Sequence, residues 1–282
     1  MFGAVATRKY SEVDVFSPNP YLGNPLAVVH DGEGLSSDEM QRFAKWTNLA
    51  ETTFLLRPKD PNADYRLRIF SATQEFPFAG HPTLGSAFAW LEAGGVPKNK
   101  DTIVQECGAG LVTVRAQTQR LAFAAPPLTR YEPVQESQLS RVAAALGLPR
   151  ERIVDASWLV NGPEWIGVRL SAADEVLSLN PDPMDLGSLC LGVVGPHRTG
   201  HGSQFEVRAF LGGDPVWEDP VTGSLNAGLG QWLTDSGIAD QRYIAAQGTA
   251  IGYKGRVHIS VENGNIWVGG DVTSCVRGEV NL

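Results

Sequence analysis

Three ionisable residues stand where this chain could carry acid–base chemistry. Glu51 lies in the run Leu49-Ala50-Glu51-Thr52-Thr53-Phe54-Leu55, His81 in Pro77-Phe78-Ala79-Gly80-His81-Pro82-Thr83-Leu84-Gly85, and Asp219 in Trp217-Glu218-Asp219-Pro220-Val221-Thr222-Gly223-Ser224. Burial of Glu51 among apolar neighbours would raise its pKa toward the range of a general acid/base; a surface carboxylate in an ion pair is the plainer reading. Pro82 suits the first position of a helix, because its missing N–H is unneeded there and its φ is already helical. His81 would then sit at or just before the helix start, where free N–H groups and the positive dipole end make an anion site. An ordinary core helix with an incidental His fits the same residues. Asp219 before Pro220 reads as a helix N-cap, a role compatible with ligand contact.

The elements that must position these residues come in two similar sets. Residues 84–91 are apolar nearly all round and stop at Gly94-Gly95, as expected of a buried helix. Residues 225–233 form a second such run, closed by Gly237. Each follows a strand and a loop with an acid and a proline: Arg68-Ile69-Phe70 before the first, Arg208-Ala209-Phe210 before the second, 140 residues later (208 − 68). Val13-Asp14 against Val154-Asp155 and Asn24-Pro25 against Gly162-Pro163 repeat at nearly the same offset. Internal duplication of this kind predicts an α+β protein of two similar lobes, each a curled, mostly antiparallel sheet or barrel around one buried helix. The lobes are expected at 1–126 and 127–269, divided near Ala125-Pro126-Pro127, with a C-terminal strand at about 270–282 completing the first. Between them, 35–48 reads as a helix capped by Ser36 or Ser37, and 136–146 and 171–179 as further helices. Strands are expected at 12–16, 24–29, 65–70, 153–155, 165–168, 205–210, 257–261 and 266–268, with a meander over 103–123. Two helix N-termini facing across a cleft would gather Glu51, His81 and Asp219 with the amides near Gly80, Gly223 and Ser224. Such a cleft suits a carboxylate-bearing substrate, and stabilises the charge that develops when a neighbouring proton is removed.

Composition narrows the classes. The 282 residues carry a net charge of -8, which argues against nucleic acid or an anionic membrane as partner. No apolar run is long enough to span a bilayer, and residues 1–10 lack the apolar core of a signal peptide. Cys107, Cys190 and Cys275 are odd in number and far apart, which suggests a reducing, cytoplasmic setting rather than a disulfide framework. His197 and His201 have metal-like spacing but lie in a Gly-rich loop, so no metal site is expected; His30 and His258 read as structural. The Gly-rich segments match neither nucleotide fingerprint, and no Gly-x-Ser-x-Gly elbow occurs.

Taken in order, Gly23-Asn24-Pro25-Leu26-Ala27-Val28-Val29, Glu51-Thr52-Thr53-Phe54, Arg68-Ile69-Phe70, the Pro77–Gly85 stretch, Asn161-Gly162-Pro163 and the Glu218–Ser224 stretch resemble the PhzF-like phenazine-biosynthesis family, over residues 13–261. The resemblance implies the diaminopimelate-epimerase-like fold, a homodimer and a cofactor-free isomerase; the best-known member isomerises trans-2,3-dihydro-3-hydroxyanthranilate by moving a proton between ring carbons. It implies Glu51 as the proton-transferring acid/base, His81 and Asp219 as residues that orient substrate and tune that acid, and Gly80, Gly223 and Ser224 as substrate-binding positions. Two departures bear on substrate identity. Ala50 stands where the family often has Ser, and Gly252-Tyr253-Lys254-Gly255 stands where it usually has Gly-Arg-Pro-Ser. The same fold hosts racemases with a thiol on each lobe. The helix mouths here carry Ala79-Gly80-His81 and Asp219 instead, which disfavours that chemistry. An epimerase or dehydratase of an amino or hydroxy acid, or a non-catalytic carboxylate-binding dimer, remain the alternatives.

Overall fold

A computed structural model describes residues 6–117, 120–214 and 216–282. The chain forms two compact units: residues 6–124 with Gly269–Leu282, and Ala125–Val268. In the first, strand Thr7–Val15 pairs antiparallel with both Val272–Asn281 and Asn24–Val29. Asn24–Val29 runs parallel to Glu51–Leu56, which pairs antiparallel with Tyr65–Phe70, itself parallel to Thr102–Cys107; Gly110–Gln117 and Arg120–Ala124 complete the sheet as an antiparallel meander. In the second unit Arg130–Pro133, Asp155–Val160, Glu164–Arg169, Cys190–Pro196, Phe205–Leu211, Arg242–Gln247 and Gly255–Glu262 pair in the same succession of antiparallel and parallel senses. The sheet of each unit curls around one 13-residue helix, Gly80–Glu92 in the first and Gly223–Asp235 in the second. Leu84, Ala87 and Ala89 of the first helix and Leu225, Leu229 and Leu233 of the second are fully buried, so strand side chains surround both.

Several elements differ from the sequence expectation for identifiable reasons. Both central helices begin earlier than their apolar runs, at Gly80 and Gly223, so Pro82 is the third helical residue rather than the first. It is still tolerated, because the first four N–H groups of a helix have no intrahelical acceptor. Of residues 153–155 only Asp155 is in a strand; a 3-10 turn at Arg150–Arg152 precedes the strand Asp155–Val160. The repeat is also displaced there. Register pairs Leu26 with Val13 and Trp165 with Leu159, so Val13 corresponds to Leu159 and not to Val154. The connection between the paired strands is long in the first unit (residues 16–23) and three residues in the second, which breaks a constant offset. Strand Cys190–Pro196 escaped notice because Gly192 interrupts its pattern; a Cβ there would collide with the Leu225 side chain of the central helix.

The duplication extends to individual contacts. Phe70 faces Glu75 across a two-residue strand, and Phe210 faces Glu218 across another. In each unit an arginine two residues earlier makes a two-pronged bond to that glutamate, with Nε and Nη2 of Arg68 at 2.7 and 2.6 Å from Glu75, and those of Arg208 at 2.8 and 2.7 Å from Glu218. Each guanidinium also lies over the phenylalanine ring, at 5.0 and 4.8 Å. The environments differ. The Arg68–Glu75 side chains are 22% and 41% exposed, whereas both partners of Arg208–Glu218 are 4% exposed, and Arg208 donates further to the carbonyls of Val176 and Leu179. Removing one partner of a buried pair strands a charge, while an exposed charge returns to water. Glu218→Ala should therefore cost about 3–5 kcal/mol and Glu75→Ala less than about 1 kcal/mol, measured by denaturant unfolding of each variant.

Candidate active site

Glu51 opens a strand three residues after Asn48, whose left-handed conformation ends the helix Ser37–Thr47. Parallel pairing sets Leu26 beside Glu51 and therefore brings Pro25 to the same end of the sheet. The segment leading to Pro25 is held by Asp14, a buried carboxylate that accepts the backbone N–H groups of Leu22 and Gly23, both at 2.8 Å. A side chain at Gly23 would strike the carbonyl of Val15. The central helix is pinned to this frame by Thr53 Oγ1, 2.9 Å from Ser86 Oγ, and by Gln105, which donates to Thr83 Oγ1 at 3.0 Å.

His81, the second helical residue, is thereby placed with Nε2 3.2 Å from Oε2 of Glu51; the two side chains are 7% and 17% exposed. The ring donates to the Pro25 carbonyl, and Nε2 has no aligned hydrogen-bond partner, so the proton is on Nδ1 and the Nε2 lone pair faces the carboxyl group. Burial pushes the imidazole pKa down to about 3, with the Pro25 bond opposing the shift in part. The pair is therefore a carboxyl group beside a neutral imidazole and not a salt bridge. A proton taken up by Glu51 finds an acceptor 3.2 Å away. Gly80 and His81 supply the first N–H groups of the helix, and Ala79 at its N-cap offers no side-chain bond to them.

The second unit offers a different set. Asp219 is not the N-cap; Thr222 is, and Thr222 Oγ1 donates to Asp219 Oδ2 at 2.6 Å. Register makes Asp219 the counterpart of Phe76, since Ala209 faces Asp219 as Ile69 faces Phe76. Gly223 and Ser224 are the first two helical residues, so Ser224 is the counterpart of His81. Trp165 Nε1 donates to Ser224 Oγ at 3.0 Å and Asn161 Nδ2 to the Ser224 carbonyl at 2.9 Å. The Ser224 hydroxyl so keeps its own proton to donate. Gln247, Asn226 and Thr222 interlock behind Asp219. Sequence reasoning missed Gln247 and Thr222, because only the parallel pairing of Val207 with Gln247 brings them together.

The counterpart of Glu51 in the second unit is Cys190: Trp165 pairs with Cys190 as Leu26 pairs with Glu51. Burial, with Glu164 and Asp214 nearby, holds that thiol above its usual pKa and so protonated. His197 and His201 stack on each other at 3.7 Å, with His197 3.0 Å from the buried Glu206, and His30 bonds Ser11 at 2.8 Å. Among the described residues no group of three or more side chains is arranged to hold a metal, and no helix is long and apolar enough to cross a membrane.

The sequence from 13 to 277 matches the family model for phenazine biosynthesis-like proteins, PhzC-PhzF. The chain belongs to this family. Among its PhzC-PhzF relatives, antisense-enhancing sequence 1 of Schizosaccharomyces pombe is 36% identical over 96% of this chain and 98% of its own. The trans-2,3-dihydro-3-hydroxyanthranilate isomerase of Pseudomonas aeruginosa is 33% identical over 90% of this chain and 91% of its own. The crystal structure of a PhzF-family protein of Bacillus anthracis superposes with a TM-score of 0.83 at 22% identity, covering 98% of this chain and all of that one. The PhzF fold thus accounts for both units.

The neutrality of His81 has a stability signature. Its pKa is about 3 in the folded protein and 6.5 in an unconstrained chain, so between those values the unfolded state binds more protons. The stability this group contributes is present above pH ~6.5 and is lost as pH falls toward 3, by at most about 1.4 kcal/mol per unit. Denaturant unfolding at pH 7 and pH 5 should show this loss, and His81→Gln should remove that part of the pH dependence.

Proposed function

We propose that the chain is a cofactor-independent isomerase that moves a proton on a small cyclic amino- or hydroxy-carboxylate, trans-2,3-dihydro-3-hydroxyanthranilate or a close analogue, with Glu51 as the acid/base. That it is an isomerase-type enzyme rests on the family and on relatives that bear that name. One observation carries the finer reading: a partly buried carboxyl group lies 3.2 Å from the lone pair of an imidazole kept neutral by burial, at the N-terminus of a helix.

In this mechanism the Glu51 carboxylate removes a proton from a ring carbon next to the conjugated system. The electron pair left behind delocalises toward the substrate's carboxylate. The proton rests on Glu51, hydrogen-bonded to His81 Nε2, and returns to a second carbon of the same system, so atoms and charge balance with no net change but the position of a hydrogen. Helix-terminal N–H groups favour the negative charge that develops between the two transfers. We assign Gly80, Gly223 and Ser224 to holding the substrate, and Asp219 to its amino or hydroxyl group. A two-base epimerase needs a second group to deliver the proton to the opposite face. The strand position equivalent to Glu51 holds Cys190, a protonated thiol, which favours one shuttling base.

The test is incubation of the purified protein with trans-2,3-dihydro-3-hydroxyanthranilate in heavy water. Glu51 is 17% exposed, so its proton should exchange with solvent between the two transfers, and up to one solvent deuterium should enter the isomerised product. General acid/base groups contribute about 10²–10⁴-fold. Glu51→Gln should lower both isomerisation and deuterium entry by that order, while 3-hydroxyanthranilate binds as to the unmodified protein. A fully active Glu51→Gln variant overturns the assignment, and a racemised or dehydrated product in place of the shifted isomer redirects it to the corresponding reaction.

A further inference from the structure

We infer that Gln247 is a positioning residue: through the Thr222 hydroxyl it holds Asp219 as a hydrogen-bond acceptor facing substrate. The inference rests on the assignment of Asp219 to substrate made above.

Gln247 ends the strand Arg242–Gln247 and is fully buried. Its amide is saturated. Oε1 accepts from the Thr222 backbone N–H at 3.1 Å and from Asn226 Nδ2 at 2.7 Å; Nε2 donates to the Asp219 carbonyl at 3.1 Å and to Thr222 Oγ1 at 3.0 Å. The orientation of the amide is forced, since a backbone N–H cannot donate to an NH₂ group. A hydroxyl that accepts from Gln247 has one proton to place, and Asp219 Oδ2 lies 2.6 Å from it. The relay therefore runs one way, from Gln247 Nε2–H to Thr222 Oγ1–H to the Asp219 carboxylate. Donation to a carboxylate favours its charged form.

The same amide shapes the helix mouth. It accepts the Thr222 N–H, and Asn226 N–H returns to the Thr222 carbonyl, so the N-cap is tied to the fold and Gly223 and Ser224 carry the first amides of the helix itself. The glycine that follows lets this happen. Gly248 adopts φ of +86°, and a Cβ there would meet the Pro220 carbonyl oxygen at 2.7 Å, so the chain after Gln247 lies directly over the segment that carries Asp219.

The duplicated unit separates scaffold from function. Tyr65 pairs with Gln105 and Arg66 with Glu106 as Phe205 pairs with Ala245 and Glu206 with Ala246, so the next residue on each strand makes Cys107 the counterpart of Gln247. Phe76 is the counterpart of Asp219 and Ala79 that of Thr222. The first central helix is pinned by a glutamine of its own, Gln105 to Thr83, as the second is by Gln247 to Asn226, but it has no counterpart of the Thr222 hydroxyl or the Asp219 carboxylate. The bond from Gln247 to the helix belongs to the fold, and the step through Thr222 to the acid is the part that accompanies Asp219.

The test uses Gln247→Leu, Thr222→Val and the double variant, with Asp219 followed by ¹³C NMR of labelled aspartate carboxyls, its signal assigned through Asp219→Asn. Each single variant should shift the Asp219 signal and move its titration midpoint upward, by about one pH unit for the loss of one charged hydrogen bond. Each should lower kcat/KM by roughly tenfold or more, and the double variant should be no worse than the poorer single one, because both break one relay. An Asp219 signal unchanged in folded Gln247→Leu or Thr222→Val overturns the inference, as does a double variant whose loss is the product of the single losses. Should Gln247→Leu fail to fold, Thr222→Val decides alone, as it keeps volume and backbone. A protein that folds but does not turn over the substrate counts against the proposed reaction, and the NMR arm still decides the role of Gln247.

Discussion

A helix wrapped by a sheet can show polar backbone only at its ends. This constraint governs both units. Buried polar side chains of each central helix find partners on the strands, as Ser86 does with Thr53, Thr83 with Gln105 and Asn226 with Gln247. What the sheet cannot satisfy is the first turn, whose N–H groups have no intrahelical acceptor. The fold therefore leaves, in each unit, one place where an anion is favoured, and the residues we assign to the site stand there: His81 and Ser224 are each second in their helix.

From that common plan the units have diverged in charge. One mouth pairs a carboxyl group with a neutral imidazole whose tautomer is set by the carbonyl of Pro25. The other pairs Asp219 with a hydroxyl and an amide. Glu51 corresponds to Cys190, His81 to Ser224 and Phe76 to Asp219, so no functional group is duplicated although the frame is. The Arg–Glu clamps, by contrast, are retained in both, because they hold the strand that leads into each helix.

The fold was legible in the sequence wherever a signal was local. Apolar runs marked the two central helices, a serine cap at Ser36 or Ser37 marked the helix after the second strand, and Arg68-Ile-Phe70 against Arg208-Ala-Phe210 marked the duplication; the structure makes Ser36 the cap, in a capping box with Glu39. Helix starts were misplaced by two residues because Gly80 and Gly223 have no periodicity to read. Strand Cys190–Pro196 was hidden because Gly192 answers to Leu225, some thirty residues away, and Gly195 to Ala172 and Val176. Among the site residues, Glu51, His81 and Asp219 stood out as ionisable groups in apolar settings. Pro25, Thr222 and Gln247 did not, since a carbonyl, a hydroxyl and an amide become meaningful only once parallel pairing sets them side by side.

The first unit is discontinuous in the chain. Its strand Thr7–Val15 has Asn24–Val29 on one side from the start, but its other neighbour is Val272–Asn281, with Thr7 opposite Asn281. During synthesis that edge stays unpaired until residues 272–281 have been made, whereas the second unit's strands from Arg130–Pro133 to Gly255–Glu262 all precede them. Ordering contacts so distant in sequence is slow, and an open strand edge is a template for association with other chains. The second unit can close on the ribosome while the first, which holds Glu51 and His81, waits for its last strand. The unit that holds the Glu51–His81 pair is thus the one whose strand order is completed last.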